Sequence, residues 1–349
     1  MFGASVYLSG FDGQQPLWDE ADIYFTSLHI AEEFSETYGE RAKALLNTLR
    51  ESGKKIIVDI SPRGVKMLGY SSLRQFAEET GADVVRCDYG FSEKEMEEAA
   101  GSAVLCFNAS SGSFELAGKL KAKGLEVCAI HNFYPRPETG LDEEYFENRN
   151  KILRELGIRT AAFLSGDGLR RGPLEEGLPT LECHRNLPPY VQYLQLKEKY
   201  GMDLVLAGDP GVSKAQRKLI SETEKDGVIR IPACLDGRYR ELYDRTWTIR
   251  EDSPRWTARL EESRGYASQG RKLPAENCLE RTPGSITVDN EKYLRYSGEI
   301  QVVKETLPAC DRVNVIGAVD EAYTGLLELL RGGKKLRFVE KEKLVCSDF

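Results

Sequence analysis

A (β/α)8 barrel (TIM barrel) followed by a smaller β-rich domain is the fold class this sequence predicts, and three observations predict it. Eight short apolar runs of strand type alternate with amphipathic, Glu/Lys-rich segments from the first residue to about residue 235. No GxGxxG follows the first run, so closure into a barrel is favoured over an open dinucleotide-binding sheet. After residue 236 the texture changes to dense Tyr, Trp, Thr and Arg in short β-like runs.

The strand-like runs are 5–8, 22–27, 55–61, 83–88, 103–108, 126–132, 160–164 and 203–208. Most are apolar on both faces, as a parallel sheet covered by helices requires. Helical patterns fill the intervals at 39–52, 71–80, 92–100, 112–123, 142–155, 188–199 and 213–225. Only GFDGQQPLWDEA separates the first two strands, which predicts a truncated first helix. Beyond GRYRELYDRTWTIR and the Gly/Arg/Lys/Pro-rich SRGYASQGRKLP come ITVDN, KYLRYSGEIQVVKETL, DRVNVIG and KKLRFVE, with one apolar helix-like run at 323–330. That order predicts a small β-barrel or sandwich with one short helix. The domains expected are therefore 1–235 and 236–349. No internal repeat or low-complexity segment interrupts them.

The chain has 349 residues, 41% hydrophobic and 30% charged, enough to bury a sizeable core. A net charge of −8 argues against nucleic acid as a partner, since a basic face is the usual footprint of such binding. A few arginines in one pocket still permit an anionic ligand. The eight cysteines are scattered singly, without a CxxC pair, and read as small buried groups in a reducing compartment. MFGASVYLSG lacks the pattern of a signal peptide, and no run reaches the ~20 apolar residues of a membrane span. The expectation is a cytoplasmic protein without a membrane partner. Oligomeric state is not readable.

In a β/α barrel the residues just past each strand face the active-site mouth. Here they are Thr26, Ser27 and His29; Asp59 and Ser61; Arg86, Asp88 and Tyr89; Asn108 and Ser110; His131, Asn132 and Tyr134; Gly166 and Asp167; and Asp209. Any one of them could cap the next helix, but their recurrence builds a concave surface of carboxylates, amides and imidazoles suited to sugar chemistry. In HNFYPRPETGL two prolines stiffen a loop that presents Arg136, Glu138 and Thr139. SGDGLRRGPLEEGLPTLECHR adds Arg170, Arg171, Glu182, His184 and Arg185, and AGDPGVSKAQ brings Lys214 to a helix start. Loops after the seventh and eighth strands often hold phosphate, although a Gly-rich turn into a capped helix is equally common without a ligand. His29, His131 and His184 lie in separate segments with no HxH or HExxH pair, which argues against a metal centre; no GxSxG elbow is present either. Carboxylate-based acid/base or nucleophilic chemistry without a cofactor is what remains.

HNFYPRPETGL, RRGPLEEGLPTLECHR and VDISP, together with FTSLHI, RCDYG, FNAS, NEKYLRYSGEIQ and RVNVIG, resemble the family known as domain of unknown function 871, glycoside hydrolase family 170. The similarity runs through almost the whole chain. It implies a TIM barrel with a cyclophilin-like β-barrel behind it, and 6-phospho-N-acetylmuramidase activity. The implied substrate is a phosphorylated amino-sugar disaccharide, N-acetylmuramic acid 6-phosphate–N-acetylglucosamine, cleaved at its β-1,4 bond in cell-wall (peptidoglycan) recycling. A glycosidase for another 6-phospho-sugar and a non-catalytic sugar-phosphate-binding protein are the alternatives.

Glycoside hydrolysis needs a proton for the leaving oxygen and a group that stabilises or attacks the anomeric carbon. The catalytic pool is Asp59, Asp88, Glu138, Glu182 and Asp209, with Glu182 or Glu138 preferred as acid and Asp59 or Asp88 opposite. The substrate's own N-acetyl group could replace a protein nucleophile. Asn108, His131, Asn132, Tyr134 and His184 are the groups expected to orient the sugar. Arg136, Arg170, Arg171, Arg185 and Lys214 are those expected to hold its phosphate and carboxylate. In the second domain Arg264, Asn290, Tyr296 and Glu299 are either site residues or a network that holds the β-barrel together.

Overall fold

The computed structural model describes residues 1–11, 17–30, 33–87, 89–243, 245–263, 272–341 and 343. They form two compact units, Met1–Val212 and Ser213–Phe349.

In the first unit eight parallel strands close into a barrel in sequence order. They are β1 (Phe2–Ser5), β2 (Ile23–Ser27), β3 (Lys55–Ile60), β4 (Val84–Cys87), β5 (Val104–Asn108), β6 (Val127–Ile130), β7 (Arg159–Leu164) and β8 (Leu204–Ala207). Closure is made by β1, which pairs with β2 on one side and β8 on the other. Among the described residues, seven α-helices run between the strands: α1 (Tyr38–Glu51), α2 (Pro62–Met67), α3 (Leu73–Thr80), α4 (Glu93–Ala99), α5 (Glu115–Ala122), α6 (Glu143–Glu155) and α7 (Pro189–Leu194). Their starts follow local chemistry. Ser61 accepts the Gly64 N–H with Pro62 at the first helical position, Ser92 and Glu95 form a reciprocal capping box, and Asp142 accepts the Tyr145 N–H.

The first strand lies earlier than the sequence predicts, at Phe2–Ser5 rather than 5–8, and Leu8–Gly10 is a 3-10 turn. Gly and Ala are poor strand formers, so FGAS gives little local signal. Packing explains the glycine: a Cβ on Gly3 would lie 2.5 Å from Leu206 Cδ2. Among the described residues, that 3-10 turn is the helical element between β1 and β2; part of the connection expected to hold a truncated helix, 12–16, lies outside them.

Two apolar layers hold the barrel. One fills its interior with Phe25, Ile57, Cys106, Ile130, Phe163 and Leu206. The other lies between strands and helices and includes Leu45, Leu49, Val58, Phe76, Leu105 and Leu120. Residues one apart on a strand, such as Ile57 and Val58, fall in different layers, as the two-residue period of a strand demands.

The second unit opens with α8 (Lys214–Asp226), capped by Ser213, and continues into β9 (Val228–Leu235). It adds β10 (Trp247–Thr248), β11 (Thr257–Arg259), β12 (Ser285–Asp289), β13 (Ile300–Val303), β14 (Val313–Val319) and β15 (Lys335–Glu340). These seven strands form one mixed sheet in the order β10-β15-β9-β14-β12-β13-β11. An antiparallel bridge between Ile249 and Leu260 links the chain leaving β10 to that leaving β11, so the sheet curls until its edges meet. The apolar run expected as a short helix is a 3-10 segment, Glu321–Leu329, which packs beneath the sheet through Leu326 and Leu329. Gln216 Nε2 donates to Tyr323 Oη at 2.6 Å and ties α8 to that segment. Among the described residues, no helix is long and apolar enough to cross a membrane.

Candidate active site

Strand period and strand register together choose the residues of the site. Phe25 and Ile57 point into the barrel, so two positions on, Ser27 and Asp59 occupy the same face at the C-terminal rim. Across the sheet Ser27 pairs with Asp59, and Asp59 with Arg86, in Cα register. One row of neighbouring strands thus carries a hydroxyl, a carboxylate and a guanidinium side by side.

Their side chains join accordingly. Ser27 Oγ donates to Asp59 Oδ2 at 2.9 Å, and Arg86 Nη1 donates to Asp59 Oδ1 at 2.7 Å. His29 Nδ1 lies 3.1 Å from the same Oδ2, and Arg86 Nη2 reaches on to Asn132 Oδ1. Burial alone would raise the Asp59 carboxyl, but the Arg86 charge and the His29 hydrogen bond outweigh it and hold the group down to about 2. Asp59 is therefore an ionised carboxylate at any physiological pH, which suits charge stabilisation and orientation and excludes proton donation.

Asp59, Arg86, His29 and Asn132 border a cavity of about 270 Å³. Phe25, Phe133 and Phe163 give it aromatic walls. Phe163 meets Phe25 and Phe133 edge-on, each at a centroid distance of 5.1 Å, and Phe133 meets Tyr7 in the same way at 6.5 Å. Aromatic walls facing a row of charged and amide groups fit a sugar ring, which offers C–H faces to the rings and hydroxyls to the polar row.

His131 also lines the cavity, yet both ring nitrogens are engaged: Nδ1 lies 3.3 Å from Ser110 Oγ and Nε2 lies 3.0 Å from Asn150 Oδ1. Desolvation first, with nearby arginines adding to it, lowers its pKa to about 4, so it stays neutral. Its part is to fix the backbone from which Asn132 projects.

Several expected site residues are engaged in holding loops. Glu182 grips Arg185 through Oε1 to Nε at 2.7 Å and Oε2 to Nη2 at 2.6 Å, and it accepts the N–H groups of Glu138 and Gly140. The Arg185 hydrogen bonds lead the causes that hold its carboxyl down to about 2. Held this way, the Glu182 carboxyl is ionised at neutral pH in the unliganded site. Asp209 is fully buried and accepts three backbone N–H groups, those of Gly166, Leu178 and Arg171. It anchors the β7–α7 loop. Asn108 Oδ1 caps its own turn by accepting the N–H groups of Ser110 and Ser111.

Glu138 is exposed with a left-handed φ of 68°. Tyr134 is half-buried and gives its carbonyl to Arg185, while Arg136 is exposed. His184 is buried in a 3-10 turn, Arg170 is half-buried on the β7–α7 loop, and Lys214 starts α8 in the second unit. Asp88 lies outside the described residues, as does Arg264. In the second unit Asn290 donates to Asn314 Oδ1 at 2.9 Å and Glu299 pairs with Arg259, so both hold strands together; Tyr296 Oη accepts from Arg295. Among the described residues, no group of three His, Cys, Asp or Glu side chains is placed to hold a metal ion.

The sequence reading set His29 and Arg86 at strand ends without assigning them a catalytic or binding role, and it did not foresee the aromatic walls. Strand parity counted inward from Phe25 would have aligned Ser27, Asp59 and Arg86. Arg171 is the cation of the expected set that stands out. Its guanidinium carbon lies 4.7 Å from the centroid of Tyr7 and 5.2 Å from that of Phe133.

Two family models match the chain. The one described as 6-phospho-N-acetylmuramidase, N-terminal, covers residues 19–222, and the one described as 6-phospho-N-acetylmuramidase, C-terminal, covers residues 229–339. Among solved structures, a conserved protein of unknown function from Enterococcus faecalis is 31% identical, with a TM-score of 0.82 over 99% of both chains. An uncharacterised Bacillus cereus protein is 23% identical, with a TM-score of 0.78 over 97% of this chain and 99% of that one, and shares the fold. No curated protein matches.

Proposed function

The chain belongs to the 6-phospho-N-acetylmuramidase family, glycosidases that act on a phosphorylated muramic-acid sugar, and from that premise we propose that it hydrolyses the β-1,4 bond of N-acetylmuramic acid 6-phosphate–N-acetylglucosamine. Arg171 is the observation that carries the reading. Its backbone is fixed by Asp209, and its guanidinium is stacked on Tyr7 and on Phe133, a wall of the cavity. Among the described residues it forms no ion pair, whereas Asp59 already neutralises Arg86 and Glu182 neutralises Arg185. A rigid, uncompensated guanidinium beside an aromatic sugar platform suits an anionic substituent on the sugar.

In this reading the muramic ring lies against Phe133 and Phe163, its phosphate meets Arg171, and the ionised Asp59 stabilises positive charge developing at the anomeric carbon. Asp88 and Glu138 complete the pool of carboxylates, and the substrate's N-acetyl group is the alternative nucleophile. Recycling of wall fragments in the cytoplasm is the setting that such a substrate suggests. The described cysteines, all free, are in keeping with a reducing compartment.

The test is product release from the phosphorylated disaccharide beside its unphosphorylated form, for the wild type and Arg171→Gln. A charge-assisted hydrogen bond contributes about 1.5–3 kcal/mol, so the variant should lose about 10- to 100-fold in kcat/KM on the phosphorylated sugar alone. Turnover of another 6-phospho-disaccharide in preference would select the related glycosidase. Tight binding without turnover would select a sugar-phosphate-binding protein.

A further inference from the structure

We infer that Asn132 selects the 2-acetamido group of the sugar, its amide N–H donating to the acetyl carbonyl while the acetyl methyl packs on the aromatic wall beside it; this rests on the glycosidase reading above. Three hydrogen bonds hold the residue in place. Its backbone N–H donates to Ser110 Oγ at 2.8 Å, and its carbonyl accepts from Thr180 Oγ1 at 2.9 Å. Its side-chain Oδ1 accepts from Arg86 Nη2. Asn132 is half-buried and borders the cavity together with Phe133, the next residue along the chain.

Arg86 fixes which way round the amide lies. A guanidinium has N–H donors and no acceptor, so the amide atom that meets it is the oxygen, and the NH2 is turned away. Asp59 accepts from the other arm of the same guanidinium at 2.7 Å, which anchors the chain Asp59–Arg86–Asn132 in the barrel rim. One N–H of the amide goes to the Tyr134 hydroxyl. Burial raises that phenol, and the Asn132 contact acts against burial, as a bond donated to the phenol oxygen does. An amide nitrogen carries two hydrogens, and among the described residues no acceptor is placed on the second. Asn132 therefore offers the cavity a donor and has no acceptor left to offer.

The surroundings match one substituent in two ways. The Arg86 charge beside Asn132 is already met by Asp59, so this part of the rim suits an uncharged acceptor. An acetamido group carries such an acceptor, the amide oxygen, with a methyl on the same carbon. The site sets the Asn132 N–H against the oxygen and the Phe133 ring against the methyl, and Phe163 braces that ring edge-on at 5.1 Å. A 2-hydroxyl would take the hydrogen bond but leave the aromatic surface uncovered. A 2-ammonium, as on the deacetylated sugar, would set donor against donor.

The test measures binding, so that it is independent of which groups carry the chemistry. Calorimetric titration compares N-acetylmuramic acid 6-phosphate with the 3-O-lactyl ether of glucose 6-phosphate, which keeps phosphate and carboxylate but has a hydroxyl at C2. The wild type should prefer the acetamido sugar by about 10- to 50-fold, the joint effect of one hydrogen bond and one buried methyl. Asn132→Ala should cut that preference to a few-fold. Asn132→Asp still accepts from Arg86 but turns an acceptor toward the sugar, so it should abolish the preference and strengthen binding of muramic acid 6-phosphate, whose 2-ammonium donates. The ratio of affinities is the readout, because losing the Arg86 contact or loosening the fold weighs on all the sugars alike, and melting curves check that both variants fold. An unchanged ratio in both variants, or a wild type that binds the acetamido and hydroxyl sugars equally, would overturn the assignment of Asn132 and leave the muramidase reading intact. A wild type that binds none of the three sugars would overturn that reading and the assignment with it.

Discussion

Glu182 and Arg185 form a two-pronged pair, Oε1 to Nε at 2.7 Å and Oε2 to Nη2 at 2.6 Å, and this pair welds two loops of the barrel mouth together. From the same guanidinium, hydrogen bonds run to the carbonyls of Gly177, Tyr134 and Arg136. Gly140 lies so close that a Cβ there would sit 2.6 Å from Glu182 Oε2. The contact is built for rigidity, with no room for a substrate between the partners.

Replacing Glu182 by Gln should therefore act on stability before chemistry. The side chain of Arg185 is 6% exposed, so losing its counter-charge should cost about 1–3 kcal/mol, read as a fall in melting temperature. Because the folded carboxyl is depressed below its ordinary 4.5 to about 2, this contribution is present above pH 4.5 and fades as pH drops towards 2. A variant that melts like the wild type but loses kcat by 10³-fold or more would place Glu182 in the chemistry instead.

Asp209→Asn tests the second loop anchor. Three backbone N–H groups point at this buried carboxylate, and an amide would turn its own N–H against at least one of them. Stability should fall by about 1–3 kcal/mol. Arg171 hangs on one of those bonds, so KM for the phosphorylated sugar should rise several-fold while kcat changes less. A pure kcat loss in a well-folded variant would instead make Asp209 a participant in the chemistry.

How far the sequence could be read follows from the range of the forces involved. Apolar runs and caps are local, so most barrel strands and helices were legible; the exceptions are Phe2–Ser5, where packing against Leu206 overrides weak strand formers, and the short helix Pro62–Met67, to which no helical pattern was assigned. Recurrence of polar strand ends located the mouth. Which of those residues meet was not legible, since that depends on register between strands, as in the row of Ser27, Asp59 and Arg86. Nor could the sequence show that Glu182 and Asp209 are consumed by backbone N–H groups and Arg185, because loop partners lie far apart along the chain. The Phe133 wall went unnoticed for a related reason: an aromatic residue inside a polar motif reads as core.

Acid should loosen the first unit through its histidines. Desolvation lowers both His131 and His184 to about 4, below the ordinary 6.5, so the folded state binds fewer protons than the unfolded one between those values. Stability is complete above pH 6.5 and falls as pH drops to 4, by on the order of 2–3 kcal/mol per histidine. Melting curves from pH 7.5 to 4 should show the decline. His131→Asn should flatten it in part, and an unchanged slope would mean that the ring is solvated.

Asp289 should behave in the opposite sense. Its side chain sits at the end of β12, 6% exposed, and burial first and the neighbouring Glu299 second raise its carboxyl to about 7. The charges of Arg259 and Arg281 offset this only in part, since both guanidinium bonds of Arg259 go to Glu299. A carboxyl whose folded pKa lies above its ordinary 3.8 binds a proton more tightly in the folded state, so its contribution is full below pH 3.8 and is lost as pH rises through 7. Asp289→Asn mimics the protonated form without the charge. The variant should match the wild type near pH 3.5 and melt higher than it at pH 8, the gap opening between the two. Calorimetry across that range is the measurement, and a variant that melts lower at pH 8 would show that the ionised carboxylate is held by attraction rather than merely confined.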